Sequence, residues 1–189
     1  MWRQIPHDGF YTDRANVNDA HQERNFKTAQ RSLQQYEHLT ELVFLRNFTS
    51  EAVHYIEDNS LDFVFIDARH DMCSVAEDIE LYWPKLREGG ILAGHDYMMG
   101  RALHEFVDTT DSYEICPNGD WKFRSVKGAV DDFAAKHGLQ VAITYGDITP
   151  WLSWIIRKPC GSSLSLSSSV SGIHRTPHTK SHSKSQLEL

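Results

Sequence analysis

Two hydrophobic periods take turns along residues 1–160, and a chain that alternates them has few folds open to it. Leu42-Val43-Phe44-Leu45, Leu61–Ile66 (LDFVFI) and Ile91–Gly94 are short, nearly continuous apolar runs of strand length. Between them lie stretches with apolar residues every three or four positions, the helical repeat. Asn16 to Tyr36 carries Val17, Ala20, Phe26, Ala29, Leu33 and Tyr36 at that spacing. Helices are expected at 51–58, where Thr49 or Ser50 is placed to cap, at 74–86 with a stop at Gly89-Gly90, and at 126–137 before Gly138. Residues 139–145 and 151–157 read as a closing pair of strands joined through 146–150. Strands apolar on both sides, alternating with helices, predict an α/β fold: a Rossmann-like, mostly parallel sheet with helices on both faces and a C-terminal antiparallel hairpin.

From Gly161 onward ten of 29 residues are Ser and none is aromatic, so little apolar area offsets the entropy of ordering. Residues 161–189 are therefore expected to be a disordered Ser/His-rich tail, in which His174, His178 and His182 are incidental to a polar tract. The chain carries 19 Lys+Arg against 26 Asp+Glu. The tail is net positive through Arg175, Lys180 and Lys184, so the part expected to fold is more acidic than the whole. That balance argues against nucleic acid as a partner, whose affinity comes from clustered cations. No apolar run approaches the roughly 18–20 residues of a membrane span, and no signal-peptide core is visible at 1–9. The expectation is a cytoplasmic chain without a membrane partner. Cys73, Cys116 and Cys160 include no C-x-x-C pair and read as free thiols.

In parallel sheets ligands sit beyond the carboxyl ends of the strands. Asp67-Ala68-Arg69-His70-Asp71 follows Ile66, and His95-Asp96-Tyr97 follows Gly94. Two carboxylates and two imidazoles thus converge on one rim. Asp67 and Asp96 suit a divalent ion such as Mg²⁺, added imidazole favours a transition metal, and His70 or His95 can take a proton near neutral pH. The same residues also suit ordinary turn capping and rim hydrogen bonds. The long connection from Met98 to Arg124, with Asp108, Asp111, Trp121 and Phe123, is either a wall over that rim or a solvated insertion with a short helix near 101–107. His54 and Tyr55 read as surface or packing residues. Of Trp151 and Trp154, one is expected in the core and the other is available to a partner subunit.

Three elements in order resemble the strand 4 to strand 5 region of class I S-adenosylmethionine-dependent methyltransferases, specifically methyltransferase family 24. They are Asp67 with His70, Asp78 ahead of Trp83-Pro84-Lys85-Leu86, and Gly89-Gly90 with His95-Asp96-Tyr97. The resemblance, extended by the 126–133 helix and the 151–156 strand, covers roughly residues 1–158. It implies methyl transfer from S-adenosylmethionine to a small-molecule oxygen or nitrogen. It places Asp67 near the methionine end of the cofactor and Ser50 and Glu51 in the loop bordering the adenine. His70, His95 and Asp96 would then be catalytic, with Asp67 and Asp96 as metal ligands. Metal-dependent relatives commonly follow the second Asp with Asn, where this chain has Tyr97. The family's Gly-rich turn after strand 1 has no counterpart here: Gly9 is the sole early glycine and no G-x-G occurs. The first two strands are therefore expected to be missing, which would leave the 61–66 strand with an open edge available for homo-oligomerisation. A fragment or degenerate relative that does not bind the cofactor is expected. The rival readings are a non-catalytic assembly module and a metal-dependent hydrolase built on the Asp/His cluster.

Overall fold

A computed structural model describes residues 15–100, 113–145 and 151–161. In chain order it contains α1 (Asp19–Gln34), α2 (Thr49–Ala52) continued by a 3-10 turn (Val53–Tyr55), β1 (Leu61–Ile66), α3 (Met72–Tyr82), β2 (Leu86–Gly94), α4 (Ser125–His137), β3 (Ala142–Ile143) and β4 (Trp154–Arg157). The four strands form one mixed sheet in the order β1-β2-β4-β3. β1 and β2 run parallel, while β4 is antiparallel to both β2 and β3. This is a Rossmann-like α/β sheet closed by an antiparallel pair, as the alternating periods predict. The connection at 146–150, the helix expected near 101–107, Asp108, Asp111, Gly9 and the tail from 162 lie outside the described residues.

The core sits between one face of this sheet and the pair α3 and α4. Leu92, Trp154 and Ile156 from the sheet meet Val75 and Ile79 of α3 and Val126, Val130 and Phe133 of α4, all buried. The cross-sheet register puts Val64, Leu92 and Ile156 on that face, and Phe63 with Ile91 on the other. There Phe63 and Phe65 stack at 6.3 Å and are about half exposed. Trp154 is the core tryptophan, and Trp151 packs on the smaller buried cluster of Met98 and Tyr113.

Several element boundaries differ from expectation, each for a local reason. Residues 42–45 form no strand, and Val43 is 69% exposed, because no neighbouring strand among the described residues accepts their ladder. α2 is one turn long and stops in a 3-10 turn rather than running to 58. It is capped not by Thr49 or Ser50 but by Glu51, whose carboxylate reaches back to the Phe48 amide at 3.4 Å. α3 begins at Met72 rather than Ser74, because Asp71 accepts from the Ser74 amide at 3.0 Å and acts as the cap. β2 starts at Leu86, ahead of the two glycines. Leu61 pairs with Leu86 but Phe63 with Ile91, so residues 87–90 bulge out, with Gly89 in the left-handed region at φ +72°. The closing strands are shorter than 139–145 and 151–157, because only 142–143 and 154–157 find partners.

The cysteines also depart from the free-thiol expectation. Cys73 and Cys116 are joined as a disulfide with their Cα atoms 5.5 Å apart, and Cys160 alone is free and exposed. Nothing in a separation of 43 residues marks these two as partners. Only the folding of residues 113–116 against the start of α3 makes them neighbours. No described helix is long and apolar enough to cross a membrane.

Candidate active site

The rim residues owe their position to the β1–β2 ladder. His95 donates its backbone N–H to the Ile66 carbonyl at 3.1 Å, extending the parallel pairing one step past Gly94 and setting the two strand ends side by side. Gly94 allows this approach. A Cβ there would stand 2.6 Å from the Ile66 carbonyl oxygen and 2.6 Å from the Trp154 ring. The chain then turns sharply. Asp96 sits in the left-handed region at φ +56°, a conformation rare outside glycine and best tolerated by Asn and Asp.

Asp96 is buried and bracketed by both imidazoles. His70 Nε2 lies 2.9 Å from Asp96 Oδ2, and His95 Nδ1 lies 3.2 Å from Asp96 Oδ1. The same His70 nitrogen is 3.6 Å from Asp67 Oδ1. The bond from His70 holds the Asp67 carboxyl below its ordinary value against the opposing effect of burial, with the nearby charges of His70 and His95 adding to it. Accessibility divides the two histidines. The His70 side chain is 13% exposed and lies under the Tyr113 ring, 4.4 Å between centroids, whereas that of His95 is 36% exposed. Asp67 is open to solvent at 54%. One donor atom each from Asp67, His95 and Asp96 lies within 4.8 Å of the others. Two carboxylates and an imidazole are a donor set that a hard or borderline divalent cation accepts. Thus Asp67, His70, His95 and Asp96 form one cluster, and His95 joins the two Asp expected to hold an ion.

Ser50 and Glu51 lie outside this cluster on α2, where Glu51 is occupied as the helix cap and also accepts from Asn47 at 3.4 Å. α3 anchors that turn from below. Tyr82 donates to the Thr49 carbonyl at 3.1 Å, and Asp78 pairs with the Thr49 side chain. Asp78 is buried, and burial pushes its carboxyl up to about 6 despite the Thr49 bond, with Glu77 and Asp71 adding to the rise. Tyr97, the residue after Asp96, turns away from the ion donors. Its hydroxyl donates to Asp131 on α4 and accepts from Lys127 at 3.1 Å. Burial and the bond to Asp131 raise the tyrosine's pKa above its ordinary value.

Two groups at the rim had no signal in the sequence. Asp71, fully buried, accepts from Arg69 Nε at 2.6 Å and from the Ser74 hydroxyl at 2.8 Å, and so fixes the turn that carries His70. Tyr113 covers His70 from the 98–124 connection, consistent with the wall reading of that segment. Trp121 and Phe123, 6.0 Å apart, are well exposed on its outer side. His54 and Tyr55 are exposed, as surface residues. A separate surface groove of about 370 Å³, lined by Lys27, Gln30, Arg31 and Gln34 of α1 and by Glu37 and Phe44 beyond it, includes none of the rim residues.

This Rossmann-like βαβ unit, with acidic and imidazole residues at both strand ends and an antiparallel pair closing the sheet, has a fold seen in other solved structures. An O-methyltransferase family protein from Burkholderia thailandensis shares it at a TM-score of 0.52, with 15% identity over 72% of this chain and 41% of that one. A Corynebacterium glutamicum protein (16% identity, 75% and 58% coverage, TM-score 0.48) and the O-methyltransferase NovP (19% identity, 84% and 57% coverage, TM-score 0.46) are more distant in shape. The chain spans between two-fifths and three-fifths of the length of these structures. No curated protein matches it. Residues 6–97 match the model of methyltransferase family 24, described as a methyltransferase domain. The match ends on Tyr97 and so contains all four rim residues.

Proposed function

We propose that this domain transfers the methyl group of S-adenosylmethionine to an oxygen or nitrogen of a small-molecule acceptor. The observation that supports this reading most directly is Asp96 bridged between His70 and His95 at the ends of two parallel strands. His95 Nδ1 faces Asp96 at 3.2 Å, which leaves Nε2 as the outer ring nitrogen to act as base, and its side chain is the more open of the two. His70, pinned between Asp96 and Asp67 under Tyr113, is a positioning residue that holds the carboxylate in place.

S-adenosylmethionine supplies a methyl group on a positively charged sulfur. When bound at the rim it would supply that methyl to the acceptor atom, losing the carbon–sulfur bond, and His95 Nε2 would take the acceptor's proton. Rate comes mainly from alignment and from keeping water away, with proton removal contributing about 10²–10⁴-fold. Asp67 and Asp96 would hold a divalent ion, whose chemistry would be to lower the pKa of an acceptor hydroxyl, while His95 Nε2 stays free to take the proton.

The test is transfer of a labelled methyl group to a panel of small phenolic, hydroxylated and amine acceptors, using the protein isolated from its native source. We expect turnover that falls at least a hundredfold in H95Q. Absence of transfer to every acceptor, together with absence of S-adenosylhomocysteine binding by calorimetry, would overturn the proposal. A second calorimetric titration with Mg²⁺ and Mn²⁺ tests the ion, which D67N should weaken.

A further inference from the structure

The Cys73–Cys116 disulfide ties together two pieces of chain that both reach the rim. Cys73 is the second residue of α3, three positions after His70 and two after the buried Asp71. Cys116 lies three residues after Tyr113, whose ring covers His70. Residues 113–116 are buried, whereas 117 and 118 and 120–124 are exposed around a tight turn. That turn is closed by Cys116 N–H to the Asp120 carbonyl, by Gly119 N–H to the Cys116 carbonyl and by one bridge between Ile115 and Trp121.

The base and the tip of this segment are held differently. At its base buried Ser125 donates its hydroxyl to the Tyr113 carbonyl at 2.6 Å and accepts from the Gly100 amide at 2.9 Å, so Tyr113 and the start of α4 are held together independently of the cysteines. The tip has the covalent link and its own local hydrogen bonds. Cys116 is 1% exposed while Cys73 is only half buried, so the Cys73 sulfur is the one within reach of a reductant.

From this arrangement we propose that Cys73–Cys116 is a redox-controlled latch that holds residues 113–124 as a wall over the Asp67–His70–His95–Asp96 rim. A dithiol reductant opens it. One of its thiolates bonds to the Cys73 sulfur, the sulfur–sulfur bond breaks, and Cys116 leaves as a thiolate and takes a proton. The second thiol of the reductant then displaces Cys73, leaving two cysteine thiols and an oxidised, cyclic reductant, two electrons in all. The freed tip, residues 116–124, loosens beside the rim, while Ser125 keeps hold of Tyr113. Re-oxidation restores the wall. The latch rests on the cross-link and its neighbours alone, so it stands or falls separately from methyl transfer.

The test is hydrogen–deuterium exchange by mass spectrometry on the full chain before and after dithiothreitol, with cross-linked peptides mapped in the untreated sample. The untreated protein should yield a Cys73–Cys116 cross-link. Reduction should speed exchange across 113–124 at least tenfold, while amides of Ile79, Leu92 and Ile156 stay protected. C73S/C116S should behave like the reduced protein, with dithiothreitol adding nothing. Free thiols at both Cys73 and Cys116 in the untreated protein, unchanged exchange at 113–124 after confirmed reduction, or loss of protection across the whole core would each overturn the latch.

Discussion

Replacing Asp78 by Asn should stabilise the domain at neutral pH and do almost nothing in acid. Asp78 is 4% exposed on α3, and burial lifts its carboxyl to about 6 from an ordinary 3.8. The folded protein therefore holds this proton more tightly than the unfolded chain does. Below about pH 3.8 both states are protonated and the residue costs nothing. Between there and about pH 6 the unfolded chain ionises first, so stability falls as pH rises, and above that the full cost is present. About two pK units at roughly 1.4 kcal/mol each amount to about 3 kcal/mol. Asn keeps an oxygen to pair with Thr49 and removes the charge, so D78N recovers up to that amount. Urea unfolding followed by tryptophan fluorescence, near pH 4 and near pH 7.5, reads the difference directly as a shift in midpoint. A variant no more stable than the parent at the higher pH would refute the reasoning, because the ionised carboxylate would then be compensated inside the fold.

Packing and chemistry give further tests. G94A should cost about 2 kcal/mol or more, because its Cβ meets a carbonyl oxygen and the Trp154 ring at 2.6 Å and neither is a flexible chain end. Thermal denaturation measures it. L92A, at a fully buried position between β1 and β4, should lose about 3 kcal/mol in the same assay. Y97F removes the donor to Asp131 but leaves Lys127 paired with it at 2.7 Å, so about 1 kcal/mol is expected by urea titration. A thiol titration of the native, unreduced chain should count one reactive cysteine, Cys160.

The elements readable in the sequence are those whose own residues determine them. α1 begins where Asn18 caps it, its side chain accepting from the His21 amide at 3.0 Å, and the LDFVFI run forms β1 as its apolar density suggests. The rim is equally legible, since Asp67, His70, His95 and Asp96 meet as soon as the two strands are paired in parallel. Features that depend on a distant neighbour are not. Leu42–Leu45 has the composition of a strand but finds no partner strand among the described residues. Cys73 and Cys116 meet only through tertiary folding. Asp71 looks like one more polar rim residue until Arg69 and Ser74 close around it. The Gly89-Gly90 pair was a sound signal of a break with its site displaced, because the break is a bulge inside β2 rather than the end of the preceding helix.

The left-handed backbone at Asp96 gives the residue a second kind of selectivity, exercised during folding rather than during chemistry. A side chain here must tolerate φ near +56° as well as carry a charge between two imidazoles. Ala loses the charge and is also strained by roughly 1 kcal/mol, whereas Gly loses the charge and relaxes the turn. Asn keeps the conformation and loses only the charge. Only Asp meets both demands, so among variants that still fold well the tolerated replacements should be Asn and Gly. A survey of substitutions at this one position would then separate into two rankings, one by stability and one by activity, that agree only at aspartate.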